Sequence, residues 1–217
     1  MKTLCGSFRL PGKKEFVVYF SWVGFILVNF IIFYGGLNWL SSVRSYTLPL
    51  YFSWELNIPF IPGFIIVYFS IGGLLLLPLF TLSVSELHRL GINLLWLTLL
   101  AGLIFFLVPT RLGFVRESDP RQYKAIFWLL FKIDHPHNLF PSLHIAYSLT
   151  IILSVLKKNE RYLQWILIAW LAAISFSVLL VHQHHILDIV GGVILSTVIH
   201  YSVGPRFYKK FPKNLQE

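Results

Sequence analysis

Long apolar runs broken at a few polar points set the character of this chain. A helix that crosses a bilayer needs roughly 20 consecutive, mostly apolar residues. Six stretches approach that length, at about 16–35, 61–82, 92–108, 139–156, 162–181 and 185–204. They are apolar all round rather than striped, the pattern of helices with lipid or protein on every side. The runs take up most of the 217 residues. They predict an all-α, polytopic membrane protein, one domain over 1–217 built as a bundle of six transmembrane helices. The first span is expected to end near Gly35 and Gly36, and Pro78 to kink the second near its inner end. Ser85–Arg89 reads as a short inner loop. The outer segment 37–60 carries Tyr46, Trp54 and several prolines, the composition of a membrane interface.

The stretch 109–138 has a different period. Tyr123, Ile126, Phe127, Leu130 and Phe131 recur at helical spacing on one face. That predicts an amphipathic helix in the third outer loop, lying in the interface beside lipid head groups.

Composition agrees with the pattern. Hydrophobic residues make up 56% and charged residues 12%, against about a quarter charged in a soluble domain; mean hydropathy is +0.71. The net charge of +9 would suit nucleic acid, but its distribution excludes that partner. With both ends inside, twelve of the eighteen Lys/Arg fall on the inner side, as the positive-inside rule requires. Both tails, 1–15 and 205–217, are then cytoplasmic. The single cysteine, Cys5, permits no internal disulfide.

Two polar islands interrupt this picture, and six of the eight histidines lie between 135 and 185. The first island, Asp134-His135-Pro136-His137-Asn138, runs into Phe140-Pro141-Ser142-Leu143-His144. The second is His182-Gln183-His184-His185-Ile186-Leu187-Asp188. Asp188 is the only formally charged side chain inside the six predicted spans, and an intramembrane charge is a functional candidate by default. His184 stands four residues earlier, on the same helical face. Its carboxylate neighbour can hold one ring N–H and leave the other nitrogen free to attack. Pro141 suits a first helical turn. Spans four and six both begin on the outer side, so two helix N-termini, which favour anions, meet His144, His184 and the cations of the adjoining loop. A nucleophile, its orienting acid, a second acid/base and anion donors are the parts of a phosphoryl-transfer site.

Pro141-Ser142-Leu143-His144 and His184-x-x-x-Asp188 resemble the second and third motifs of the type-2 phosphatidic acid phosphatase superfamily. Asn-Leu-Phe-Pro-Ser-Leu-His followed by His-His-Ile-Leu-Asp is most similar to its inositol phosphorylceramide synthase-like, inositolphosphotransferase branch. The resemblance covers about 61–204. It implies a six-span fold with an extracytoplasmic site and a phospholipid or lipid-phosphate substrate. His184 would form a phosphohistidine, Asp188 orient it, and His144 protonate the leaving oxygen, with no metal and no cofactor. Arg111, Arg116 and Ser142 are the candidates to bind the phosphate. Leu143 stands where the general pattern has glycine, and Val178 where it has the arginine of a Ser-Arg pair. The first motif has no match, and Pro109-Thr110-Arg111 is the nearest substitute. Leu143 and Val178 favour a phosphotransferase over a dedicated lipid phosphate monoester phosphatase. A di-iron oxygenase with histidine boxes would need more paired histidines than the islands supply. A lipid-binding or transport protein would use the cationic loop for head-group capture alone. His135, His137, His182 and His185 read as structural or interfacial.

Overall fold

The computed structural model describes residues 8–116, 120–156 and 161–208. Cys5, the basic residues at 157–158 and the tail from 209 lie outside them, as does the side chain of Arg121. The described chain is helical. Its only extended pairings are two isolated bridges, Leu48 with Thr110 and Arg111 with His137. In order the α-helices are α1 (Lys13–Phe30), α2 (Gly36–Val43), α3 (Ile65–Phe69), α4 (Ile71–Thr81), α5 (Val84–Leu107), α6 (Lys124–Ile133), α7 (Leu143–Val155), α8 (Arg161–Leu180), α9 (Ile186–Val198) and α10 (Gly204–Tyr208).

Five helical segments are long and apolar enough to cross a membrane: Lys13–Val43, Pro62–Thr81, Val84–Leu107, Arg161–Leu180 and Ile186–Tyr208. The predicted fourth span is different. It is the 13-residue α7, short of the roughly 20 residues that a helix needs to span by itself. α7 packs against α4, α5, α8 and α9, and eight of its thirteen residues are buried. Its surroundings are protein on nearly every side, so it is the hub of the bundle. The outside of the bundle is apolar: Leu107 is 64% exposed and Phe176 63%, a surface that suits lipid better than water.

Two boundaries move from their sequence positions. The first helix runs past Gly35 and Gly36. A wide turn of π-helix at Ile31–Gly35 carries it without a break into α2, and Asn38 and Ser41 of α2 are buried. Two glycines cost roughly 1 kcal/mol each inside a helix, and tertiary contacts of that last section offset the cost. α5 begins at Val84, so Ser85–Arg89 is helix rather than loop. The reason is a capping box: Ser83 N–H donates to Glu86 Oε2 at 2.7 Å, and Glu86 N–H donates to Ser83 Oγ at 3.4 Å. In the second span the helix continues through Pro78 to Thr81, and the interruption falls at Ser70, between α3 and α4.

α6 forms where the periodicity places it, but its face is turned. Phe127 and Leu130 are buried in the main core, with Tyr123 and Phe131 packed against it. The apolar side chains left outside are Ile126, from the predicted face, with Trp128, Leu129 and Ile133.

Candidate functional site

The turn between α8 and α9 is built by one carbonyl. Val178 O accepts from Gln183 N at 2.9 Å and from His184 N at 3.1 Å. His182 takes the left-handed conformation, φ 54°, that often ends a helix. α9 then starts with His185 as its cap and Asp188 at its third position. Asp188 Oδ2 accepts the His185 backbone N–H at 2.8 Å and lies 3.4 Å from His184 Nδ1. The buried carboxylate thus caps a helix and orients an imidazole together. The contact to His184 is long for a charge-assisted hydrogen bond, as is common before substrate is bound. His184 Nε2 meets no partner among the described residues, and the side chain keeps 12% of its surface open.

α7 brings His144 to the same place. Gly191 and Gly192 let α9 press onto the start of α7: a Cβ on Gly192 would stand 2.6 Å from Ser142 O, and one on Gly191 2.4 Å from the Phe140 ring. Ser142 N donates to Asp188 O at 3.0 Å, tying the two motifs together through backbone. Ser142 Oγ is the helix cap, accepting from Ile145 N. Thr110 Oγ1 accepts from Leu139 N at 2.8 Å and Phe140 N at 3.2 Å, which fixes the approach to Pro141. His144 stacks on Tyr68, ring centres 4.0 Å apart, and its Nε2 lies 3.0 Å from Tyr68 O. That carbonyl is free because α3 ends at Phe69, where intrahelical donors run out. A carbonyl only accepts, so Nε2 carries a hydrogen and Nδ1 is left to exchange a proton. His144 and His184 are near enough that a charge on one is felt by the other.

The cations separate clearly. Arg111 is exposed and joins the site only through its backbone bridge to His137. Arg116 is half-buried, its guanidinium 4.5 Å above the Phe131 ring and its Nε buried without a hydrogen-bond partner. It lies within electrostatic range of Asp134, Tyr34 and Tyr68, yet forms no ion pair with any described residue. Burial pushes the Asp134 carboxyl above the usual range, against the Tyr34 hydrogen bond and the nearby Arg116, His184 and His135. Val178, at the position of the expected arginine, is fully buried in the core.

The other histidines of the second island are engaged by protein groups. His185 Nε2 accepts from Gly113 N at 3.0 Å, so its proton is on Nδ1, 3.2 Å from Glu55 Oε2. Glu55 is wholly buried and also accepts from Ile186 N and Phe52 N, each at 2.9 Å. Phe114 is sandwiched between His182 and His185, at 4.0 and 4.5 Å. His182 Nε2 donates to Ile58 O at 2.9 Å. His135 is exposed. Among the described residues no three His, Cys, Asp or Glu side chains converge as metal ligands.

With this geometry in view, comparison with known proteins is informative. The family model described as PAP2 superfamily matches residues 56–202. The chain belongs to the PAP2 superfamily. An uncharacterized protein of Methanocaldococcus jannaschii, MJ0662, is 31% identical over 135 residues, covering 60% of this chain and 48% of that protein. The alignment thus spans about half the length of that relative. No solved structure matches significantly.

Several residues around the PAP2 motifs escape a sequence reading. Glu55 is a lone acid in an aromatic segment, and nothing in its neighbours announces that it locks His185. Asp134 stands in a polar island but shows its importance only through Tyr34 and Asn38. Those two lie on the first helix, about a hundred residues away and before the family-matched stretch.

Proposed function

We propose that this chain is an integral membrane phosphatase or phosphotransferase acting on a lipid phosphate ester through a phosphohistidine at His184. The observation that carries the reading is the asymmetry of that imidazole: Nδ1 is held toward a buried carboxylate, while Nε2 meets no partner among the described residues. Nε2 attacks phosphorus and the alkoxide leaves. Entering this step as the imidazolium, with Nε2–H kept on Tyr68 O, His144 gives its Nδ1 proton to the leaving oxygen and becomes neutral, and Asp188 stabilises the charge on the His184 ring. In the second half water or an alcohol loses a proton to His144 and attacks the phosphohistidine. Arg116 is the cation that neutralises the phosphoryl oxygens. Ser142 serves this site by capping α7 and bracing the Asp188 backbone.

In this reading α7 completes a six-helix bundle, both termini are cytoplasmic and the site faces the extracytoplasmic side. α6 sits at that interface with Trp128, Leu129 and Ile133 toward lipid. Transfer to a hydroxyl acceptor is favoured over hydrolysis, because Val178 is buried and Arg111 exposed, and Arg116 is the half-buried arginine near the site among the described side chains. A mono-anionic diester needs less positive charge than a dianionic monoester. The test is to incubate purified protein with a head-group-labelled phospholipid and to look for acid-labile protein-bound label, with and without a hydroxyl acceptor. Label in the wild type and none in His184→Ala is the expected outcome; equal labelling of both discards the reading. Phosphate release from phosphatidic acid that no acceptor alters would leave the phosphatase form.

A further inference from the structure

We infer that Asp134 is a phosphate-binding residue, acting in its neutral carboxyl form as a hydrogen-bond donor opposite Arg116. The inference rests on the phosphate-site reading above.

Asp134 follows the last residue of α6 and is held from the first helix. The Tyr34 hydroxyl donates to its Oδ1, and Asn38 Nδ2 reaches the same oxygen at 3.4 Å. Asn38 also donates to the carbonyls of His135 at 3.2 Å and His137 at 3.0 Å, so the loop is pinned just after the residue that carries the carboxyl. Both donors sit on one oxygen, and Oδ2 meets no donor among the described residues. Arg116 and His184 are close enough to act on the carboxyl electrostatically, yet neither touches it. Arg116 in turn has a buried Nε–H with no acceptor. The site therefore holds a carboxyl oxygen and a guanidinium nitrogen within electrostatic range of each other, each without a hydrogen-bond partner among the described residues.

A phosphate ester supplies acceptors only. Its oxygens can take the Arg116 Nε–H, but beside an ionised carboxylate they would meet repulsion and no hydrogen. Carrying a proton on Oδ2, Asp134 becomes a donor and completes the ring of donors around the anion. Burial that raises the carboxyl above its usual range is in keeping with this form. The charges facing Asp134 are those of Arg116, His184 and His135, with the hydroxyl of Tyr34. The proton stays on Asp134 throughout, and no covalent step is added.

The probe is tungstate, a non-titrating dianion near neutrality, with its Kd measured by calorimetry on purified wild type, Asp134→Asn and Tyr34→Phe between pH 5.5 and 9. The other ionisable groups are common to wild type and Asp134→Asn, so the ratio of their affinities isolates Asp134. That ratio should fall about tenfold per pH unit along the alkaline limb, as binding linked to one proton requires. Tyr34→Phe removes a hydrogen bond that favours the ionised carboxylate, so it should move the fall to higher pH without abolishing it. If Asp134→Asn does not fold, the Tyr34→Phe shift alone decides. Parallel profiles, or no shift in Tyr34→Phe, overturn the inference and leave the phosphate site standing. Failure of the wild type to bind tungstate at any pH overturns the phosphate-site reading and this inference with it.

Discussion

His184 and His185 are neighbours in sequence and opposites in environment. His185 has both nitrogens committed, one to Glu55 and one to Gly113 N–H, and its faces are covered by Tyr51 and Phe114. His184 has one nitrogen held near Asp188 and the other open. The two compete mildly for the same acid, since Asp188 Oδ2 takes the His185 backbone N–H as well. An imidazole with two satisfied nitrogens is a strut. In the proposed mechanism His184, with one, is the reagent. The strut region, with Tyr51, Glu55, Phe114, His182 and His185, fixes the turn from which the reagent projects.

That contrast predicts how the regions fail. His184→Ala should remove turnover by at least about a thousandfold, as loss of an activated nucleophile does, with a melting curve close to wild type. Asp188→Asn keeps an acceptor for the helix cap but not the charge behind the imidazole. It should reduce turnover by on the order of 10² to 10⁴-fold at little cost in stability. A variant that melts much lower but retains its rate per folded molecule would show that Asp188 belongs with the struts.

Changes in the strut region should act in the other direction. Glu55→Ala removes the partner of His185 and of two backbone N–H groups, a loss on the order of 3–5 kcal/mol for a buried pair. The expectation is a lower melting temperature in detergent, with turnover per folded molecule within a fewfold of wild type. Val178→Arg is also expected to lower stability rather than rebuild a phosphate clamp, because the side chain would enter the apolar core. Improved monoester hydrolysis in a stable Val178→Arg protein would contradict the burial argument.

The smallest effect expected is one of pH. Burial holds the His182 imidazole below its ordinary range, against the hydrogen bond to Ile58 O. Its folded pKa is lower than its unfolded one. Its contribution to stability is therefore present above the unfolded value, about 6.5, and is lost as pH falls from there toward the folded value. Melting temperature should drop between pH 7.5 and 5.5, and His182→Gln should flatten that drop.

The sequence was legible where one residue's neighbours decide the outcome. Six apolar runs were visible, but run length does not distinguish a lipid-facing span from α7, a short helix enclosed by protein. The spacing of His184 and Asp188 draws attention to the pair, but His184 lies in the turn before α9 rather than on its face. The contact forms because Asp188 folds back onto the helix start. The extent of α1 and α2 was hidden because two glycines suggested an end, while Asn38 and Ser41 are tied to a loop nearly a hundred residues away. The start of α5 was readable in Ser83 and Glu86 but masked by the charges that follow. For α6 the period was right and the direction was not, since periodicity identifies an apolar face without saying whether lipid or protein covers it. Asp134 and Glu55 depend on partners far along the chain, which no local pattern reports.

The central claim is that His184, and not its neighbour, carries the phosphoryl group. Mass spectrometry of protein quenched during turnover of a phospholipid donor, with fragmentation that separates the two residues, tests it directly. The account predicts an acid-labile phosphoryl adduct on His184, absent in His184→Ala and undiminished in His185→Gln protein that remains folded. An adduct on His185, or steady turnover by His184→Ala, would contradict it.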